Sequence, residues 1–167
     1  VRIVWSDIVA GAPLAEVLED LSDLADAAVI VAREFAERTL IPRYGQPRSP
    51  EGEPQELVVL GMGKLGGREL NFSSDIDLVF LYPRSGETDG RRRIANEDYF
   101  MRLGQALIRL LDAPTEEGFV FRVDLRLRPF GESGPLVVSF GAFEEYLQKH
   151  GRDWERYAWI KARAITG

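Results

Sequence analysis

Apolar residues near the start of the chain recur with a helical period. Between residues 14 and 40 they are spaced by three or four positions, at Val17, Leu21, Leu24, Ala28, Val31 and Phe35. This pattern predicts one long amphipathic helix that ends near Leu40, before Pro42, and that buries the stripe in a core. The next stretch, PRYGQPRSPEGEPQ, is rich in proline, glycine and charge, which predicts an exposed linker over residues 42–55.

Three further helices are predicted later in the chain. The first has an apolar stripe at Phe100, Leu103, Leu107, Leu110 and Leu111. Asn96 is placed to cap this helix, which should end near residues 112–114. Ser139 can cap the second, and the third should run from Asp153 to Ile165 with Trp154, Tyr157 and Ile160 as packing residues.

Short apolar runs between the helices predict strands. One occupies residues 57–60 and stops at Gly61, and another is Ile76–Tyr82. Residues 119–128 (FVFRVDLRLR) alternate strictly, which predicts a strand with one apolar face and one charged face. Together the elements indicate an α/β (α+β) domain, with a small mixed sheet flanked by helices.

Two carboxylates stand at the start of the strand Ile76–Tyr82. Asp75 and Asp77 are two residues apart, so on a strand they point to the same face and repel each other unless a proton or cation lies between them. Asp75 could simply be a turn residue after Ser73 and Ser74. A structural role is harder to accept for Asp77, because a carboxylate inside an apolar strand is costly without a partner. The pair therefore favours a site for a metal or a phosphate.

The glycine-rich turn before this pair, GMGKLGG at residues 61–67, can bring backbone N–H groups close to an anion. Its Gly-x-Gly-x-x-Gly spacing matches the dinucleotide-binding fingerprint, but the next strand follows too soon for the full helix that this motif requires. The P-loop pattern also fails around Lys64. Asp124, between arginines on the alternating strand, is a candidate third metal ligand if that strand lies beside Ile76–Tyr82.

Composition excludes several classes of function. The formal net charge of −6 argues against a general nucleic-acid binder, which would usually be basic. No apolar run approaches the roughly 20 residues needed to cross a bilayer, so we expect no membrane partner. The absence of cysteine rules out thiolate metal sites and fits a cytoplasmic protein, and the presence of a single histidine argues against histidine-based metal sites and triads. The first residue is Val1 rather than Met, and we interpret the chain as a domain excised from a longer protein.

These motifs resemble a known family. The glycine turn, the Asp75-x-Asp77 pair and Asp124 on a later strand are similar to the polymerase-β-like nucleotidyltransferase superfamily. More closely, GMGKLGGRELNFSSDIDLVFLYP and FRVDLRLRPFGESGPL resemble the bacterial glutamine synthetase adenylyltransferase/adenylyl-removing family, over about residues 57–166. Such proteins carry two related domains, and the tail GRDWERYAWIKAR, at residues 151–163, resembles the N-terminal, adenylyl-removing copy.

The resemblance implies both a reaction and a site. AMP would be removed from a tyrosine of glutamine synthetase by phosphorolysis, giving ADP, with two Mg²⁺ ions held by Asp75, Asp77 and Asp124. The residues expected to contact phosphate or nucleotide are Gly63, Lys64, Gly66, Ser74, Arg126 and Arg128. For Arg126 and Arg128 this expectation comes from the strand alternation. The implied partners are glutamine synthetase and, through the full-length enzyme, a PII-type signalling protein.

The sequence thus divides into a helical segment (1–41), a linker (42–55) and a nucleotidyltransferase core with C-terminal helices (56–167), within one compact domain. Two other functions stay open. The chain could be the adenylylating copy, which uses ATP, because the acidic motifs are common to both copies. It could also be a catalytically silent domain that binds nucleotide or glutamine synthetase and transmits a regulatory signal.

Overall fold

The computed structural model describes residues 2–116 and 118–167. In these ranges the helices are α1 (Arg2–Ile8), α2 (Leu14–Tyr44), α3 (Gly63–Gly66), α4 (Asn96–Asp112), α5 (Phe140–Lys149) and α6 (Asp153–Ala158). The strands are β1 (Pro47–Arg48), β2 (Val58–Gly61), β3 (Ile76–Tyr82), β4 (Glu87–Thr88), β5 (Val123–Asp124), β6 (Val137–Ser139) and β7 (Arg163–Ala164). Short 3₁₀ turns occupy Gly131–Ser133 and Trp159–Lys161.

The main sheet is small and mixed, as the sequence predicts. Its order is β5-β3-β2-β7, and β6 pairs with β3 farther along the edge that β5 uses. β2 runs antiparallel to both β3 and β7, whereas β5 and β6 run parallel to β3. The long helix and this sheet confirm the expected α+β class.

β3 is the central strand and is covered on both faces. The even-numbered side chains from Ile76 to Tyr82 belong to the larger core, together with buried residues of α2 and α4. Val79 and Leu81 point the other way, into a smaller cluster against which Phe143 and Trp159 pack. Asp75 and Asp77 lie an even number of residues before Val79 and Leu81. Their carboxylates are therefore on the face of the sheet that the smaller cluster covers.

The long helix is present, but its buried face was predicted incorrectly. Leu24, Val31 and Phe35 are 51%, 64% and 56% exposed. Val17 and Leu21 are buried as predicted, but from there on the helix packs through smaller side chains, namely Ser22, Ala25, Val29, Ala32 and Ala36. Small residues let α2 approach α4 and the sheet closely, and the larger apolar side chains are left on the neighbouring flank of the helix.

α2 also runs past Pro42, contrary to prediction, and ends at Tyr44. Proline removes a backbone hydrogen bond, but close to the helix end the loss is limited to one. The ring of Tyr44 is only 2% exposed and has the guanidinium groups of Arg43, Arg92 and Arg102 within 5.2–5.6 Å of its centroid. Burial of this ring and its cation–π contacts offset the interruption.

The segment 42–55 is not an exposed linker throughout. It contains the last turn of α2 and strand β1, which pairs with β4. Ser49 and Gln55 are 5% and 6% exposed. Asn96, expected to cap α4, lies fully buried in its first turn, where its side-chain amide donates to the carbonyls of Arg48 (2.8 Å) and Arg84 (3.3 Å). This amide therefore fastens the 42–55 segment to the core.

Two predicted elements are shorter than expected. The alternating segment 119–128 forms a strand only at β5, and the final helix stops at Ala158. After Ala158 the chain makes a 3₁₀ turn and enters the sheet as β7. Trp154, Tyr157 and Ile160 are 55%, 77% and 72% exposed, so they do not pack as predicted. Among the described residues, no helix is both long enough and apolar enough to cross a membrane.

The corrected face of α2 can be tested with two valines. Val29 is 0% exposed and Val31 is 64% exposed on the same helix. Val29→Ala should lower the free energy of unfolding by about 2 kcal/mol, because it removes buried methyl groups and leaves a cavity. Val31→Ala makes the same chemical change and should stay within about 0.5 kcal/mol of wild type. Urea unfolding measures both, and equal losses would contradict this packing.

Candidate active site

The parallel pairing of β3 with β5 brings the predicted carboxylates together. Ile76 is paired with Val123, and Asp77 is paired with Asp124. Paired residues of adjacent parallel strands point to the same face and lie about 4.8 Å apart. Asp75 precedes Asp77 by two residues and shares that face. The condition on which the sequence prediction depended, that these two strands are neighbours, is therefore met.

Asp124 itself ends the strand that carries it. Its Oδ1 accepts a hydrogen bond from the backbone N–H of Arg126 (2.8 Å), which turns the chain away from the sheet. The Arg126 guanidinium also binds this carboxylate, through Nε to Oδ2 (2.8 Å) and through Nη2. Arg126 and Arg128 thus lie in a turn rather than on a continuing strand. Their predicted position on a continuing strand was wrong, although Arg126 still reaches the site.

Asp75 has a different arginine partner, which the sequence prediction missed. Arg122 Nε lies 2.6 Å from Asp75 Oδ1, an ion-pair distance. This oxygen is nevertheless buried and accepts no well-aligned hydrogen bond from any described residue. The backbone explains the contact, because Arg122 O accepts a hydrogen bond from Ile76 N at 2.9 Å, where β5 joins β3.

The two paired carboxylates have opposite electrostatic environments. The pKa of Asp77 is raised, chiefly by burial and then by the neighbouring Asp124 charge. The pKa of Asp124 is lowered, chiefly by its hydrogen bond to Arg126. The ionised form of Asp77 is therefore less stabilised than that of Asp124.

The donor set of this cluster fits a hard divalent cation such as Mg²⁺. Asp75, Asp77 and Asp124 supply only oxygen ligands on one face of the sheet, and Asp75 Oδ1 is buried without a hydrogen-bonded partner. Within the described ranges, no three acidic or histidine side chains are already arranged around one metal position. The arginines that now face Asp75 and Asp124 would have to turn away from the carboxylates when a cation binds.

Two features of the structure require glycine at position 63. Its φ of +53° lies in the left-handed region that side chains disfavour. A Cβ at this position would also lie 2.7 Å from Asp77 Oδ2. The turn is thus pressed directly against the carboxylate. It forms a single helical turn, α3, between two antiparallel strands, and this arrangement is not that of a dinucleotide-binding fold.

Lys64 and Ser74 lie together beside this turn. Lys64 Nζ donates to Ser74 Oγ (3.0 Å), and Ser74 Oγ donates to Asn71 Oδ1 (2.5 Å). Lys64 also lowers the pKa of Asp77 through its charge, although burial outweighs this effect. The two residues form a polar edge near Asp77, and their predicted contact with phosphate stays a prediction.

Two other predicted phosphate ligands have structural roles in this conformation. The N–H of Gly66 donates to Met62 O (2.9 Å), and a Cβ at Gly66 would lie 2.0 Å from Lys161 O, so close packing explains this glycine. The Arg128 guanidinium donates to Leu125 O, Glu132 O and Gly134 O at 2.9–3.4 Å, and thereby holds the loop 125–134. The geometry therefore gives little support to direct phosphate contacts from these two residues.

Arg163 is a positioning residue that the sequence prediction missed. It lies on β7 rather than on a helix, and its guanidinium forms a two-fold ion pair with Asp26 of α2 (2.8 and 3.0 Å). It also donates to the carbonyls of Leu65 (3.1 Å) and Gly66 (3.3 Å) at the end of α3. A single side chain thus ties the glycine turn to the long helix. Its only sequence signal is a basic residue in an otherwise mixed tail.

An open cavity of about 470 Å³ lies over the carboxylates. Its lining residues are Asp75, Val123, Asp124, Leu125, Arg126, Arg128 and Glu132. The carboxylates and guanidinium groups meet at this opening, and such a combination can bind anionic phosphate groups together with cations. Asp77 is not one of these lining residues, and its Oδ2 lies beside Gly63.

Comparison with known proteins finds relatives over the whole chain. The family model described as "Glutamate-ammonia ligase adenylyltransferase" matches residues 1–167. A protein of Thioalkalivibrio sulfidiphilus named "Bifunctional glutamine synthetase adenylyltransferase/adenylyl-removing enzyme" is 59% identical over 99% of this chain and 17% of its own length. Proteins with this name from Shewanella frigidimarina and Chromobacterium violaceum are 59% and 58% identical over 99% of this chain, and match 18% and 19% of their own lengths. The chain spans less than a fifth of the curated relatives it matches.

Charge repulsion at the paired strands predicts a stabilising substitution. In metal-free buffer Asp77→Asn should raise the melting temperature by roughly 2–4 °C, corresponding to about 1 kcal/mol after allowance for screening by solvent and arginine. Asp98→Asn, which makes the same charge change at an exposed position in the first turn of α4, should not raise the melting temperature, because a carboxylate is favourable near a helix N-terminus. Mg²⁺ should raise the melting temperature of wild type and of Asp98→Asn, but not of Asp77→Asn. Differential scanning fluorimetry measures all three, and an unchanged or lower value for metal-free Asp77→Asn would contradict the repulsion.

The contact of the glycine turn with Asp77 predicts that alanine is tolerated at Gly67 but not at Gly63. Gly63→Ala should abolish the stabilisation by Mg²⁺ and lower the free energy of unfolding by about 1–3 kcal/mol, because the new Cβ meets both backbone strain and a carboxylate. Gly67→Ala is the matched control, since its Cβ would meet only the flexible side chains of Lys161 (3.2 Å) and Glu69 (3.5 Å). Similar Mg²⁺ responses in the two variants would show that Gly63 does not shape the site.

Proposed function

The chain belongs to the glutamate-ammonia ligase adenylyltransferase family, and we propose that it is the adenylyl-removing nucleotidyltransferase unit of such a protein. In the proposed reaction AMP is removed from an adenylylated tyrosine of glutamine synthetase by phosphorolysis. The observation that carries the proposal is the in-register pairing of Asp77 with Asp124, with Asp75 on the same face. This arrangement supplies the three carboxylates that the resemblance requires, on neighbouring strands.

The proposed reaction exchanges one phosphorus–oxygen bond for another. An oxygen of hydrogen phosphate forms a bond to the adenylyl phosphorus, the bond from phosphorus to the tyrosine oxygen breaks, and the products are ADP and the free phenol. The proton of hydrogen phosphate ends on the tyrosine oxygen. Two anions must approach each other, so repulsion and alignment contribute to the barrier, and fixed charges at the site can reduce both contributions.

Different residues of the site have different proposed roles in this reaction. Asp75, Asp77 and Asp124 would hold Mg²⁺, and bound Mg²⁺ would neutralise charge on the phosphate groups and the leaving oxygen. Arg126, whose side chain is 73% exposed, can exchange Asp124 for the incoming phosphate when the carboxylate binds metal. Lys64 and Ser74, which are hydrogen-bonded to each other, would contact phosphate beside Asp77. Arg163 keeps the turn that carries Gly63 and Lys64 in place.

The C-terminal tail supports assignment to the adenylyl-removing copy. The residues that resemble this copy, 151–163, end at Arg163. This residue anchors the glycine turn through Leu65 O and Gly66 O. The part of the sequence that distinguishes the two copies is therefore in contact with the turn of the candidate site. Cytoplasmic location and a PII-type regulator of the full-length protein belong to the same proposal.

The reaction can be tested directly by intact-mass spectrometry. Adenylylated glutamine synthetase incubated with this chain, Mg²⁺ and phosphate should lose one AMP per subunit, and ADP should form only when phosphate is present. Asp77→Asn should slow this loss by about 100-fold or more, because metal-ion catalysis contributes several kcal/mol of charge stabilisation. Asp98→Asn should match wild type.

Other outcomes separate the alternatives. A gain of AMP on unmodified glutamine synthetase in the presence of ATP, with no phosphate-dependent loss, would assign the chain to the adenylylating copy. No change in either direction, in a sample with a cooperative unfolding transition, would argue against catalysis by this chain and favour a regulatory role. Turnover of Asp77→Asn at the wild-type rate would remove Asp77 from the mechanism.

A further inference from the structure

A second cavity, of about 410 Å³, opens on the other side of Arg126. Arg126 lines both this cavity and the one over the carboxylates. The other lining residues used below are Phe130, Tyr146, His150, Trp154 and Glu155. We name this space the aromatic cavity. Its volume lies in the range of small-ligand sites.

The walls of the aromatic cavity present aromatic faces that the protein leaves uncovered. Phe130 packs on Tyr146 with centroids 4.5 Å apart and lies 5.6 Å from the ring of His150. Phe130 is nevertheless 51% exposed, and Trp154 is 55% exposed. Exposed aromatic rings that line a cavity can stack on a planar ligand.

The backbone at Phe130 is held in an uncommon conformation. Its φ of +62° lies in the left-handed region, which is rare for a bulky side chain. The loop that holds it there is tied down by Arg128, whose guanidinium donates to Leu125 O, Glu132 O and Gly134 O. Such an outlier next to a candidate site is consistent with a residue placed for a ligand.

Two polar side chains of the aromatic cavity, Tyr146 and Glu155, are already paired. Tyr146 Oη donates to Glu155 Oε1 (2.5 Å), and Glu155 Oε2 accepts from the backbone N–H of Arg152 (2.8 Å). These bonds fix the wall formed by α5 and α6. A ligand in the cavity would be bound through ring stacking and through the cationic side chains of Arg126 and Arg152, with Arg126 at the edge shared with the cavity over the carboxylates.

We propose that the aromatic cavity binds the purine base of the adenylyl group, an inference that rests on the proposed function. The adenylyl phosphorus would lie over Asp75, Asp77 and Asp124, with the ribose passing Arg126. The base would stack in the aromatic cavity against Phe130, His150 and Trp154. Because the base would be bound away from the bond that breaks, it would hold the nucleotide in place while phosphate replaces tyrosine.

The single histidine of the chain makes this proposal measurable. The imidazole protons of His150 give isolated signals in a proton NMR spectrum, because no other histidine is present. Titration of the chain with ADP in the presence of Mg²⁺ should shift these signals by the ring current of the base. Methylenediphosphonate, which has the diphosphate charge but no base, should bind and leave them unmoved.

Substitution of Trp154 provides the second measurement. By isothermal titration calorimetry, Trp154→Ala should weaken ADP binding by about tenfold, the effect of losing one stacking partner. The affinity of this variant for methylenediphosphonate should stay within about twofold of wild type. Trp5→Ala is the matched control, because Trp5 is a similarly exposed tryptophan (59%) on α1.

The outcomes distinguish this subsite from the reaction itself. If ADP binds but His150 does not shift and Trp154→Ala binds normally, the base lies elsewhere, and only the subsite is overturned. If neither ADP nor methylenediphosphonate binds, the phosphate site fails, and the proposed function and the subsite fall together. Equal weakening by Trp154→Ala and Trp5→Ala would also overturn the subsite.

Discussion

The position of Asp77 directly beside Asp124 on parallel strands is the constraint around which the rest of the structure is arranged. Two carboxylates at the spacing of adjacent strands repel each other, and burial adds to the cost for Asp77. A sheet built only for stability would not place them together. The arrangement is tolerated because β3 is buried along the rest of its length, and this packing determines the register of the strand regardless of the charges at its start.

Arginines compensate for this repulsion without removing it. Arg122 faces Asp75 and Arg126 binds Asp124, whereas Asp77 feels the charge of Arg126 without a direct ion pair to an arginine among the described residues. The site is thus nearly neutral at its rim and retains one poorly stabilised charge beside the glycine turn. In a metal-dependent phosphoryl transfer these guanidiniums would be released when cations bind, and they could then contact the anionic substrate.

The elements around the site hold it from several directions. Gly63 presses the turn against Asp77, and Arg163 connects that turn to Asp26 on α2. Arg128 holds the loop that carries Phe130, so the carboxylate site and the aromatic cavity share one support. Since the chain spans less than a fifth of its curated relatives, the exposed apolar flank of α2 and the site both lie in a larger protein context in these relatives.

The sequence by itself determined the features that depend on local periodicity and chemistry. These include the long helix, the bounds of the strand Ile76–Tyr82, the cap at Ser139 and the choice of Asp75, Asp77 and Asp124 as candidates. Predictions from the sequence were wrong where long-range packing outweighs the local pattern of residues. The alanine-rich flank of α2 is buried because close approach to α4 favours small side chains, and Tyr44 carries the helix past Pro42 because its ring is buried. Only the tertiary structure decided that β5 pairs with β3, that Arg126 leaves the strand to bind Asp124, and that Arg163 joins the sheet to hold the glycine turn. Each of these contacts joins side chains and backbone groups in a geometry that the fold creates, and neither periodicity nor residue type specifies such a geometry.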